Sequence, residues 1–503
     1  MVKQKLYVTF NDFSGGLNNK KAANLLANNE VAESQNFFLG QGFAEKRYGY
    51  VPYWNMSTSY LYEFFKSDYT SEFLAVSGTN LYKDNGSAFT SITMANSLNT
   101  NAIKMITYKD RNMSDTVLIA DGGKLKTYDG TKVQEVTPHV LTTTPPEATD
   151  PGLNDLANLT NFRTFALKGE RLFACAHPTN LNRLSFCHID PKLGYGVYDY
   201  FPATHFIDIS VDDNDPIINL KVFRDKLIIF CKRSIWLLEG DGRTLDDYTI
   251  TKLNAPTGCI SPGSVVDVGD SIFYLSDTHI YDLTANRQGY GNIYTDVISM
   301  NIEKTLDSIS LSDKALANGV FFKNKYYLSF PDGTTIVYDN LLQNWTVFAN
   351  IKATSFLSRN GVLYFAGQKL YKFDETVFSD DGAPIVARLK LKNTDLEHPV
   401  NNKQFRKMWV VARQYEAPSS NFNIRATIDY VEVDIDDIST DQSFVWGESN
   451  WGNLWGFKDI VENMVKLSKT GKHFQLILIN DTVDQPFTFY GVTYEYKIRK
   501  AKK

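Results

Sequence analysis

The sequence offers little to a redox, metal or membrane reading. Only four cysteines occur among 503 residues (Cys175, Cys187, Cys231 and Cys259), none in a CxxC pair. That spacing supports free buried thiols over a zinc site and leaves a disulfide open. No run of 18 apolar residues exists, so no transmembrane helix is expected. The first ten residues lack an apolar signal core, so synthesis and assembly are read as cytoplasmic. Basic residues do not dominate: 52 Lys and Arg stand against 57 Asp and Glu, a net charge of −5. No global basic field therefore draws the chain to nucleic acid. The basic end, Lys497 to Lys503, reads as solvated rather than as a DNA grip.

Catalytic motifs are missing as well. The seven histidines show neither HExxH nor HxH spacing, and His279, in a strand, reads as packed or at an edge. There is no P-loop, no GxSxG and no dinucleotide fingerprint. The stretch Ser329 to Ile336 approaches the Asp-box of propeller sialidases, but its acid falls one place late and its Trp is lacking. Acidic turns occur at Asp212-Asp213-Asn214-Asp215 and Asp434 to Asp437. Counted from Asp212, the twelfth position of a calcium loop would be Phe223, so the EF-hand pattern fails. These read as solvated turns, with an adventitious Ca²⁺ site as the sharper alternative. No enzyme activity, cofactor or metal is expected.

What is plentiful is aromatic side chains, 33 Phe and 28 Tyr, which favour strands. The clearest stretch is Phe223 to Gly240. Two apolar runs, Leu227–Cys231 and Ile235–Leu238, flank Lys232-Arg233-Ser234, a break fit only for a hairpin turn. An isolated hairpin is marginal, so this one needs neighbouring sheets. The pattern returns with anchors at residues 74, 118, 173, 228, 273, 327 and 363. A strand-rich repeat of roughly 40–50 residues marks a β-propeller with four strands per blade. The expected class is all-β: a six- or seven-bladed β-propeller over 53–380, an N-terminal arm over 1–52 and a C-terminal antiparallel β-sandwich over 381–503. The segment 300–314 has apolar residues near helical spacing and predicts a short helix between blades.

The arm is expected to hold a strand at Leu6–Phe10, a Gly15-Gly16 turn and a short helix from about Asn29 to Phe38. It is too small to own a core, so its apolar residues Leu6, Val8, Phe10, Phe13, Leu17, Phe37 and Phe38 are candidate interface residues for a neighbouring subunit. Trp446, Trp451 and Trp455, in a Gly-rich loop, are further interface candidates.

Several stretches carry a family resemblance. They are Phe13-Ser-Gly-Gly-Leu-Asn18, Leu25 to Glu30, Gln35-Asn36, Lys46-Arg47-Tyr48-Gly49, Lys403 to Val411, Gly471 to Leu478 and Phe487 to Tyr496. In these the chain resembles the tail nozzle, or packaged-DNA-stabilising tail hub, of short-tailed double-stranded-DNA phages. The resemblance implies a structural virion protein in a ring, usually of six copies, below the portal and adaptor (the head–tail connector). It would neighbour tail fibre or needle proteins, touch DNA transiently and non-specifically in its lumen, and retain and then conduct the genome. An acidic balance suits such a conduit, because like-charged walls avoid tight phosphate pairing. The alternative reading is a peripheral, receptor-binding tail propeller that binds or cleaves host surface glycan.

Overall fold

The computed structural model describes residues 5–99, 103–140, 152–209, 215–240, 242, 247–285, 292–415, 420–439 and 460–499. Strands account for nearly all of its regular structure. Seven consecutive four-stranded antiparallel units, here sheets I to VII, begin at residues 60, 104, 164, 217, 266, 318 and 355, and sheet II gains a fifth, parallel strand, Thr93–Met94. In each, the sequence hairpin supplies the second and third strands. In sheet IV, for example, Lys226–Cys231 pairs with Ile235–Glu239. The second strands of sheets III, IV and V are almost wholly buried, as short apolar runs covered on both faces must be. The first strand of sheet VII packs against the first strands of both VI and I, so the array returns on itself in a propeller-like manner. All four cysteines are free and buried.

Sheet VII takes its fourth strand from far upstream. Gly49–Trp54 pairs antiparallel with Leu370–Asp374. The N-terminal residues thus build the array rather than leaning on it from outside. Sheet VI is extended in a similar way. Its last strand, Asn344–Phe348, is followed by Glu33–Gln35, then Ala387–Lys390, Phe474–Asn480, Asn421–Ile428 and Val431–Ser439, nine strands in all. A second C-terminal sheet runs Ile460–Gly471, Lys403–Arg413, Thr488–Ile498, Phe43–Lys46 and Phe37–Gly40, with Leu6–Phe10 also paired to Thr488–Ile498. Phe405, Met408 and Val410 of this sheet share one buried cluster with Ile424, Leu476 and Leu478 of the other. The cluster continues into Phe273, Tyr326 and Trp345 of sheets V and VI.

Three expectations change on this ground. The helix expected over Asn29–Phe38 is instead three short strands, Glu30–Val31, Glu33–Gln35 and Phe37–Gly40. Its Asn and Glu residues suit a helix start, but each short piece finds a strand partner elsewhere in the chain. Nor is the arm free to dock on a neighbour. Phe10, Phe13, Leu17 and Phe37 are buried in the common cluster, with Leu6 and Val8 packed against it. Each such burial contributes on the order of 1.5–3 kcal/mol, and it is realised within this chain. Finally, strand pairing crosses the boundaries at 52 and 380, since strands from 1–54 belong to four different sheets, one of them the two-stranded pair Gly16–Leu17 with Glu30–Val31. The helical segment near 300 is present, as a 3₁₀ turn Met300–Ile302 and helices Glu303–Ser308 and Leu311–Ala315, with Ile302 and Leu306 buried.

Candidate functional site

Charge is buried at several points among the described residues, and two of them tie several sheets together. The first is the seam where the innermost strands meet. Lys104, opening sheet II, sends its Nζ to Thr164 Oγ1 of sheet III (2.9 Å) and Asn219 Oδ1 of sheet IV (2.6 Å). Asn219 Nδ2 donates onward to the Pro262 carbonyl at 2.8 Å. Ser261 Oγ donates to the Ala317 carbonyl (2.6 Å), Arg359 Nε to Glu63 (3.0 Å), and the Tyr62 and Thr107 hydroxyls pair at 3.0 Å. Burial, reinforced by nearby Lys221, lowers the Lys104 ammonium to about 7. Its hydrogen-bond acceptors are neutral, so charging it costs desolvation that no carboxylate offsets.

The second is the junction of sheets VI and VII with the C-terminal sheets, organised by Arg47. Its guanidinium grips Asp380 in a bidentate pair at 2.8 and 2.5 Å. The remaining N–H groups donate to Asn36 Oδ1 (2.8 Å), the Tyr48 carbonyl (3.0 Å) and the Ala349 carbonyl (2.9 Å). All five donors are thereby used, which lets a charge sit almost fully buried. Burial raises the Asp380 carboxyl, and the guanidinium offsets part of that rise. Asn36, at φ +60°, turns the chain so that its side chain also meets the Ala349 amide and the Val386 carbonyl. Gly49 is obligatory here, because a Cβ would land on the Ser379 backbone. Beside Arg47, Lys46 donates to Asn480 Oδ1 at 2.5 Å, and burial lowers its ammonium to about 8.

A cleft of about 560 Å³ opens over this junction. Its walls are aromatic, with Phe38, Phe43, Tyr48, Phe322, Tyr327 and Phe373 contributing. Lys323, Lys325, Lys372, Asp374 and Glu375 line it too, with Glu45 beside Arg47. Phe38 meets Phe348 edge-on at 5.1 Å, and the Arg47 guanidinium lies 5.7 Å from the centre of the Phe348 ring. Phe43 lies over Gly40, where any side chain would strike its ring.

Of the interface residues expected from sequence, Phe38 alone lines this cleft, and Leu6, Val8, Phe10, Phe13, Leu17 and Phe37 lie in or against the core. Trp446, Trp451 and Trp455 fall outside the described residues. So do Asp212 to Asn214, whereas Asp215 accepts from Arg233 N and Asp434 pairs with Arg425. Among the described residues no group of three side chains is arranged to hold a metal, and no helix is long and apolar enough to cross a membrane. Sequence reasoning missed Lys104, Glu45 and Asp380. Arg47 was visible only as part of a motif, and its burial had no local signal.

Taken alone, this architecture defines a class: an all-β, propeller-like protein whose N-terminal strands knit it to two further sheets. No protein-family profile matches the sequence, and no curated protein does. Solved structures do match in part. The extracellular domain of the putative one-component system BT4673 from B. thetaiotaomicron is similar at 11% identity and a TM-score of 0.44, over 88% of this chain and 61% of that one. The Neurospora crassa Pan2 WD40 domain is similar at 12% identity and a TM-score of 0.34, over 64% of this chain and 89% of that one. The computationally designed Ika8 protein is similar at 10% identity and a TM-score of 0.36, over 65% of this chain and 99% of its own. Likeness at this level carries no functional argument.

Proposed function

We propose that this chain is a structural tail protein of a short-tailed double-stranded-DNA phage, a nozzle or hub subunit that retains and then conducts the genome. Its body would be a seven-bladed propeller fused to a β-sandwich. The observation that supports this reading is where the resembling motifs fall. Phe13 to Asn18, Gln35-Asn36 and Lys46 to Gly49 all lie along the connection between the propeller-like array and the C-terminal sheets. Gly16, at φ +68°, packs on Asn344, and Asn344 Nδ2 donates to the Ser14 carbonyl at 2.9 Å. These motifs build a rigid frame and position no reactive group, which suits a load-bearing part.

In a virion tail, such subunits would form a closed ring of about six copies through head-to-tail contacts of their side faces. The adaptor above would template the ring by presenting repeated docking sites. Because the arm is spent internally, the ring surfaces would lie elsewhere. Electron microscopy of particles labelled on this chain tests the reading. Density in a ring on the tail axis is expected. Density confined to peripheral fibres, or no label on the particle, overturns it.

A further inference from the structure

The junction cleft holds polar groups that the fold does not use. Among the described residues the Glu45 carboxylate has no hydrogen bond or ion pair, although Phe38 and Thr488 flank it on the paired strands. Its compensating charge is Arg413, acting at a distance, and burial raises its pKa. The hydroxyls of Tyr48 and Tyr327, both cleft residues, also have no hydrogen-bond partner among the described residues. Most other charges at the cleft are accounted for. Arg47 is taken by Asp380, Lys325 by Asp339 and Lys323 by Glu375. Asp374 accepts from both the amide and the hydroxyl of Thr376, and Lys372 lies in its field.

This combination selects among ligands. A purely apolar guest would seal a half-buried carboxylate away from water without a partner, which is unfavourable. A cation would meet Lys372, which no ion pair among the described residues takes up, and an anion would meet Glu45. A neutral guest with apolar faces and peripheral hydroxyls meets neither objection. Its hydroxyls can donate to Glu45 and exchange hydrogen bonds with Tyr48 and Tyr327, while its faces lie on Phe43 and Phe322. The volume, about 560 Å³, falls in the range of small-ligand sites. We propose that this cleft is a carbohydrate-binding site for a short neutral oligosaccharide. The proposal does not depend on ring formation, since a monomeric subunit would carry the same cleft.

Saturation-transfer NMR on the full-length protein tests it, with maltose, cellobiose and N,N′-diacetylchitobiose as probes and N-acetyl-arginine amide as the cationic control. Transfer to at least one disaccharide is expected. Glu45→Gln and Phe43→Ala should each weaken it about tenfold or more, the scale of one lost buried polar or stacking contact. Tyr48→Phe, which removes one hydroxyl and keeps the ring, should weaken it less while leaving the melting temperature unchanged. No transfer to any disaccharide overturns the proposal. So does transfer that none of the three substitutions changes, or stronger binding of the arginine probe than of every sugar.

Discussion

Arg47 shows what one side chain does in this molecule. It ties Asp380 to the carbonyls of Tyr48 and Ala349 and to Asn36, which closes the corner between sheet VII and the C-terminal sheets. Arg47→Ala leaves Asp380 buried without its counter-charge, and a loss of about 3–5 kcal/mol is expected by urea unfolding. Arg47→Lys should recover only part of it, because an ammonium cannot serve the same planar set of acceptors. Lys104 gives a pH signature. Its pKa falls from the usual lysine value to about 7 on folding, so between pH 7 and about 10 the unfolded state binds more protons. Stability therefore rises with pH across that window, and the handicap is greatest at and below pH 7. Lys104→Met removes this dependence without orphaning Asn219, whose Oδ1 also accepts from the Leu220 amide and Thr164. The stability gained by the variant should shrink as pH rises, by at most about 1.4 kcal/mol per unit. Parallel melting curves for the two proteins from pH 7 to 9.5 would refute this account.

At the scale of elements, the seven hairpins were legible because each combines a strand-length apolar run with a nearby turn, a local signal. The three strands between Glu30 and Gly40 were not. Glu30–Val31 pairs in parallel with Gly16–Leu17, Glu33–Gln35 with residues hundreds of positions away at Val347 and Arg388, and Phe37–Gly40 across a turn with Phe43–Lys46, and no local pattern reports them. The cleft was illegible for the same reason, since Glu45, Lys323 and Phe373 converge only through the fold. Placement in the core reverses what truncation should do. Deleting residues 1–40 strips Phe13, Leu17, Val31 and Phe37 from the common cluster. The C-terminal sheets should then lose cooperative unfolding and become sensitive to limited proteolysis, rather than the protein staying folded with only assembly impaired. Gly49→Ala, which drives a Cβ into Ser379, should destabilise by more than about 2 kcal/mol in a denaturant titration.

At the scale of the whole molecule, one buried cluster runs from sheets V and VI through the N-terminal strands to both C-terminal sheets. The described parts should therefore melt in a single calorimetric transition. Two well-separated transitions would mean that the sequence-based division at residue 380 is thermodynamically real after all. A chain that closes its own sheets needs no partner to be stable. The isolated protein is expected to sediment as a monomer, with oligomers appearing only when the templating partner is added.

The pairing of Leu6–Phe10 with Thr488–Ile498 has a consequence for biosynthesis. Leu6 faces Tyr496, so these two paired strands leave the ribosome about 490 residues apart. At about 5–20 residues per second, the first waits roughly 25–100 s for its partner. Throughout that interval Leu6, Val8 and Phe10 are exposed, and Gly49–Trp54 is idle until Leu370–Asp374 has been made. Contacts this remote in sequence also make folding slow, so yield in the cell should depend on chaperone supply and translation speed more than on the stability of the finished fold.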